Sequence, residues 1–168
     1  MPGRVDADEV EMEIRGLMMD PVTNMPIVVL KEVGAETVLP IWVGIFEANA
    51  IAMEMDKSPM PRPMTHDLLV QAMRGLGAVV ERVVISELRE ETYYALIWMQ
   101  QAGEVVAMDA RPSDAIALAM RWDCPIYVRR TVLESSRQSA SGAQQGNSEE
   151  LRSWLENLND DEMGRYKM

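Results

Sequence analysis

The sequence predicts an α+β fold in which two related hairpin-plus-helix units build one domain. Three observations lead there. A candidate hairpin runs directly into a candidate helix twice, over 27–56 and again over 93–121. The two helices echo each other without a gap: Asn49-Ala-Ile-Ala-Met-Glu-Met55 aligns with Asp114-Ala-Ile-Ala-Leu-Ala-Met120, which suggests a duplicated supersecondary unit. The chain has 168 residues, 48% of them hydrophobic, enough for one cored domain plus tails.

Residues 1–11 are polar and acidic and read as a loose arm. Met12 to Met19 is an apolar-rich strand, and Asp20 to Pro26 is a turn by its Pro, Asn and Asp content. Ile27 to Leu30 is a buried-type strand, Gly34 bends a hairpin, and Thr37 to Val43 returns, with Pro40 marking an edge or bulge. Gly44 to Asp56 is the first helix. Three prolines keep 57–64 irregular. Thr65 is expected to cap a second helix through Leu76, with Asp67 in its first turn and Gly75 and Gly77 at its end.

Val79 to Leu88 and Tyr93 to Met99 read as strands, Gln100 to Gly103 as a turn, and Glu104 to Asp109 as the returning strand. Pro112 suits the start of a third helix, and Ser113 or Asp114 is expected to cap it. Its small residues, Ala-Ile-Ala-Leu-Ala, permit close packing on a sheet. Pro125 to Arg129 is a final strand. The domain is therefore 12–134. Residues 135–147, rich in Ser, Gln, Ala and Gly, read as a flexible linker. Within 148–168, Leu151, Trp154, Leu155 and Leu158 stripe a short acidic helix that needs a docking surface.

Composition narrows the function classes. The formal net charge is -11, and no segment is a basic module, which argues mildly against nucleic-acid binding. A local arginine cluster or a bound metal could override that sign. No run approaches the ~20 apolar residues of a membrane span, and the first residues lack a signal-peptide h-region. One cysteine, Cys124, and one histidine, His66, leave no intrachain disulfide and no Cys- or His-rich zinc site. The expected location is cytoplasmic, without membrane association.

Six motifs recur in order: Leu39-Pro-Ile-Trp-Val-Gly44, Glu47-Ala-Asn-Ala-Ile-Ala52, Pro61-Arg-Pro-Met-Thr-His-Asp-Leu-Leu69, Thr92-Tyr-Tyr-Ala95, Asp109-Ala-Arg-Pro-Ser-Asp-Ala-Ile-Ala-Leu118 and Pro125-Ile-Tyr-Val128. Together, over roughly 12–134, they closely resemble the bifunctional nuclease family. The resemblance implies an α+β fold with a mixed, strongly curved sheet packed by helices. It implies a self-associating chain, with a dimer the favoured state. It also implies sequence-nonspecific cleavage of RNA and DNA. Plant members add a helical-hairpin module after this domain; here the linker and the short acidic helix take that place.

The candidate site residues follow from their chemistry. His66 is the natural acid/base near neutral pH; its structural alternative is to hold the 57–64 loop. Cleaving DNA cannot rely on a 2′-hydroxyl and calls for an activated water, typically on Mg²⁺ or Mn²⁺ held by carboxylates. Glu47, Asp109 and Asp114 are the candidate ligands, and Asp67, Asp109 and Asp114 join His66 as candidate catalytic groups. Their alternative is ordinary first-turn helix acids, with Asp109 paired to Arg111. Arg62 and Arg111, each beside a proline, and Ser113 are candidate phosphate binders; a buried ion pair between the two units is the alternative for the arginines. The rival to a nuclease is a noncatalytic module that binds a phosphorylated small molecule or a protein partner. A structural oligomer is a third reading.

Overall fold

Apolar and β-branched residues make seven strands, as the sequence predicts. The computed structural model describes residues 4–142. The strands are β1 (Glu9–Met19), β2 (Pro26–Glu32), β3 (Val38–Trp42), β4 (Val79–Arg89), β5 (Thr92–Gln101), β6 (Glu104–Ala110) and β7 (Ile126–Arg129). They form one mixed sheet in the order β3-β2-β1-β7-β4-β5-β6. Only β4 and β7 pair in parallel. The helices are α1 (Ile45–Met55), α2 (Thr65–Gly75), α3 (Pro112–Trp122) and α4 (Arg130–Gly142). Register shifts in β1 between Ile14 and Gly16, and twice in β4, add local twist.

Both hairpin-then-helix successions are present, β2-β3-α1 at one edge of the sheet and β5-β6-α3 at the other. The element order is the same in the two, which by itself does not show duplication. Pro40 sits on the edge strand β3, where its missing N–H leaves no central ladder broken. The 20–26 turn is stitched by Asp20. Its carboxylate accepts the Val22 N–H at 2.9 Å, the Thr23 hydroxyl at 2.8 Å and the Trp42 indole N–H at 2.9 Å.

Helix α3 sits centrally. Ala115 to Ala119 are all essentially buried, because small side chains let it lie close between the sheet and its neighbours α1 and α2. The main core gathers Leu30, Ile41, Ile51, Val83, Ile97, Ile116 and Leu118 with Val132 and Leu133 of α4.

Four local expectations are corrected. Residues 9–11 belong to β1 rather than to a loose arm, because Glu9 is buried against Arg82 at 3.0 Å. Residues 135–142 continue α4 rather than a linker, because buried Val132 and Leu133 anchor its start. Thr65 is the first residue of α2, with Met64 in the cap position. Arg111 holds the cap position of α3, with no side-chain cap bond from Ser113 or Asp114. The rest of the expected linker and the 148–158 helix lie outside the described residues. Among the described residues no helix is long and apolar enough to cross a membrane.

Candidate active site

Three helices begin beside one another, and each carries an acid three residues after its cap: Glu47 in α1, Asp67 in α2 and Asp114 in α3. First-turn acids are favoured there because the free N–H groups and the helix dipole present positive charge. Packing of α1 and α2 on α3 then brings these turns together.

Arg111 lies at the centre. Its Nε donates to Asp114 Oδ2 at 2.8 Å and its Nη2 to Asp114 Oδ1 at 3.2 Å. Its Nη1 donates to Glu47 Oε1 at 2.9 Å. The hydrogen bonds it donates to Asp114 first, then to Glu47, push the guanidinium pKa up. The Arg111 side chain is still 64% exposed, so it faces solvent while held on two sides. Gly44 makes this geometry possible: a Cβ there would fall on the Glu47 carboxylate.

His66 joins from α2, with Nε2 2.9 Å from Asp114 Oδ1. Burial alone would raise the Asp114 pKa, but hydrogen bonds from Arg111 and His66 outweigh it and the net shift is downward. Asp114 is therefore a carboxylate at neutral pH, which fixes Nε2 as the proton-bearing nitrogen of a neutral His66. Nδ1 is then the nitrogen with the lone pair, the arrangement a general base needs.

Asp67 faces the other way. It accepts the Met64 N–H at 2.9 Å and Arg121 Nε at 2.8 Å. The Met64 bond first, and Arg121 after it, lower its pKa against the opposing effect of burial. Arg121 also donates to the carbonyls of Ala117 and Ala50 at 3.0 and 2.9 Å, locking α1 to α3. Arg62 lines a cavity of about 470 Å³ between α1, the proline loop and α2, with Arg74 and Arg121.

The structure thus unites His66, Asp114, Arg111 and Glu47. It places Asp67 one residue away but turned toward Arg121. Asp109 stands apart, exposed on β6 opposite Leu96, and Arg111 pairs with Asp114 and Glu47 instead. Ser113 is buried in the first turn of α3. Arg121 is a site residue that sequence reasoning missed. Its signal was a seven-residue step from Asp114, two turns along one helix face.

A divalent metal would need a converging set of donors. Glu47 and Asp114 direct their oxygens at Arg111, and among the described residues no three of His, Cys, Asp and Glu form a metal-ligand group. The residues as arranged do not fit the expected Mg²⁺ or Mn²⁺.

The bifunctional nuclease domain model matches residues 28–141. An uncharacterized protein of Mycobacterium tuberculosis is 32% identical over 161 residues, covering 90% of this chain and 96% of its own length. Bifunctional nuclease 1 of Oryza sativa subsp. indica is 28% identical over 118 residues, 68% of this chain but 36% of that protein. Bifunctional nuclease 1 of Arabidopsis thaliana is 31% identical over 109 residues, 62% of this chain and 34% of that protein. The chain belongs to the bifunctional nuclease domain family.

Proposed function

We propose that this chain is a nuclease that hydrolyses phosphodiester bonds in RNA and DNA without reading their sequence. The observation that carries the reading is the His66–Asp114 pair beside the exposed, doubly held Arg111. A phosphate docks on the solvent face of Arg111, bidentately. His66 Nδ1 takes a proton from a water, Asp114 steadies the imidazolium that results, and the water oxygen attacks phosphorus. The leaving sugar oxygen takes its proton from solvent. Arg111 stabilises the charge that builds on the phosphoryl oxygens. Neither strand type is favoured, because no step uses a 2′-hydroxyl.

The plant relatives named above support the activity through their family, and the chain spans about a third of each. Self-association belongs to the same proposal. Among the described residues the edge strand β6, with Val105, Val106 and Met108 exposed, is an open pairing surface that supports it, and sedimentation measures it.

The test is cleavage of labelled single-stranded RNA and DNA by highly purified protein, with Mg²⁺, with Mn²⁺ and with chelator, beside His66→Ala. Cleavage of both strands that His66→Ala abolishes, at an unchanged melting temperature, is the expected result. Cleavage that survives His66→Ala sinks the mechanism. A strict metal requirement would show that substrate and metal together rearrange Glu47 and Asp114 away from Arg111, and the unaided water would be wrong. No cleavage in any condition would favour the noncatalytic phosphate-binding module.

A further inference from the structure

We propose that the cavity between α1, the proline loop and α2 is a second phosphate subsite, which holds the nucleotide next to the one cleaved. The substrate in this proposal rests on the nuclease reading above. The location of the subsite does not.

The cavity is about 470 Å³, within the ~300–1,000 Å³ usual for small-molecule sites. Five charged side chains line it, three of them arginines, and pairing within the lining and to nearby Lys57 leaves a local surplus of positive charge. Asp67 is neutralised by Arg121 at 2.8 Å, and Glu54 by Lys57 at 2.8 Å. Arg121 is the back wall, 6% exposed, with Asp67 and two backbone carbonyls using its donors. Arg62 and Arg74 remain. Arg62 has no hydrogen bond or ion pair among the described residues. Among the described residues Arg74 makes only a stacking contact over the Trp122 ring, 4.7 Å from its centroid, which leaves its N–H fork available to a ligand. Two uncompensated guanidinium groups on one cavity, in a chain of net charge -11, point to an anion. Guanidinium forks match phosphate geometry.

Arg62 is also ordered in advance. Pro61 and Pro63 flank it and fix φ on both sides, so less entropy is lost when it grips a ligand. Met60 and Val70 offer apolar surface against which any base can lie, with no donor set that would select one base. The position completes the argument. His66 and Asp67 are consecutive in the first turn of α2, yet His66 points to Asp114 and Asp67 to the cavity wall. The reactive cluster and the cavity are therefore back to back across one helical turn, within reach of adjacent units of one strand.

The phosphate could also belong to a free mononucleotide, and the experiment separates the two sources. Binding of a labelled single-stranded DNA oligonucleotide is measured across about 50–200 mM salt for the parent and for Arg62→Ala/Arg74→Ala, with adenosine monophosphate as competitor. Cleavage of the oligonucleotide and of a dinucleotide is measured alongside. The expected result is about tenfold weaker oligonucleotide binding and a salt slope shallower by about 0.7, one phosphate's share for a single strand. Dinucleotide cleavage should be unchanged. Both arginines are exposed, so the melting temperature should hold, and Arg62→Lys/Arg74→Lys should restore the slope. Unchanged affinity and slope would overturn the subsite. So would loss of mononucleotide binding alone, which would make the cavity a small-molecule site. A parent that binds as expected but never cleaves would refute the nuclease reading and leave the subsite standing.

Discussion

Asp114→Asn isolates the contact that, in the proposed mechanism, would make His66 a base. The substitution keeps the side-chain shape and removes the charge that receives three hydrogen bonds: one from His66 at 2.9 Å and two from Arg111 at 2.8 and 3.2 Å. An amide can present its NH₂ group to His66, which turns the ring to the tautomer with its lone pair on Nε2. General-base catalysis is worth about 10²–10⁴ in rate, and losing the right tautomer removes most of it. The expected fall in kcat is about 10²-fold, or roughly 2.7 kcal/mol at 1.36 kcal/mol per decade. KM should rise little, because Arg111 still meets phosphate. The assay is single-turnover cleavage of a labelled oligonucleotide by four proteins: parent, Asp114→Asn, His66→Ala and the double variant. Residues that act as one unit are strongly non-additive, so the double variant should be no slower than His66→Ala. Full multiplication of the two effects would refute the pairing, and an unchanged kcat in Asp114→Asn would remove Asp114 from the mechanism.

The other predictions concern stability and site shape. The β4–β5 turn places Glu90 at φ 49° and Glu91 at φ 59°, a left-handed pair for which Asn-Gly is the favoured sequence. Glu90→Asn/Glu91→Gly should add about 1 kcal/mol, raising Tm by about 2–4 °C in a chain of this size, read by calorimetry. Arg82→Ala should cost about 3–5 kcal/mol in denaturant unfolding, because it strands buried Glu9 and strips the ring contact over Trp98. Asp67 and Asp114 both have folded pKa values below the ordinary 3.8. Their contribution to stability is thus complete above about pH 4–5 and is lost as pH falls through the folded values. Asp67→Asn should accordingly flatten the acid limb of a stability-against-pH curve and leave little difference below it. Gly44→Ala should push Glu47 off Arg111 and lower kcat/KM, with a melting temperature within a few degrees of the parent.

Element type was legible wherever local chemistry and tertiary demand agree. The run Ile27-Val-Val-Leu30 is apolar on both sides and lies under both sheet faces. Pro40 announced an edge, and the edge is there. Helix α4 was missed because Ser and Gly, weak helix formers, dominate 135–142, while two buried residues upstream, Val132 and Leu133, dock it. The same contrast governs the site. Arg111 and Asp114 are three residues apart, and their meeting could be read from one motif. His66 and Asp114 are 48 apart, and Glu47 and Arg111 are 64 apart. Those contacts exist only because α1 and α2 pack on α3, which no local pattern encodes. The expected Asp109–Arg111 pair fails for a local reason: Arg111 turns its donors to Asp114 and Glu47, and Asp109 stays exposed on β6.

A net charge of -11 looks hostile to a polyanionic substrate, yet the distribution of pairs offsets much of it locally. The Debye length at physiological salt is about 8 Å, so acids of the distant surface act weakly on a phosphate at the helix starts. Nearer by, the acids are already committed: Glu47 and Asp114 to Arg111, Asp67 to Arg121, Glu54 to Lys57. In the proposed mechanism a strand would meet a set of arginines, three adjacent helix starts and a histidine oriented by one carboxylate. The acidic remainder of the surface repels any strand that approaches elsewhere. On the proposed reading, the same charge that argues against nucleic-acid binding over the whole chain would confine productive contact to this face.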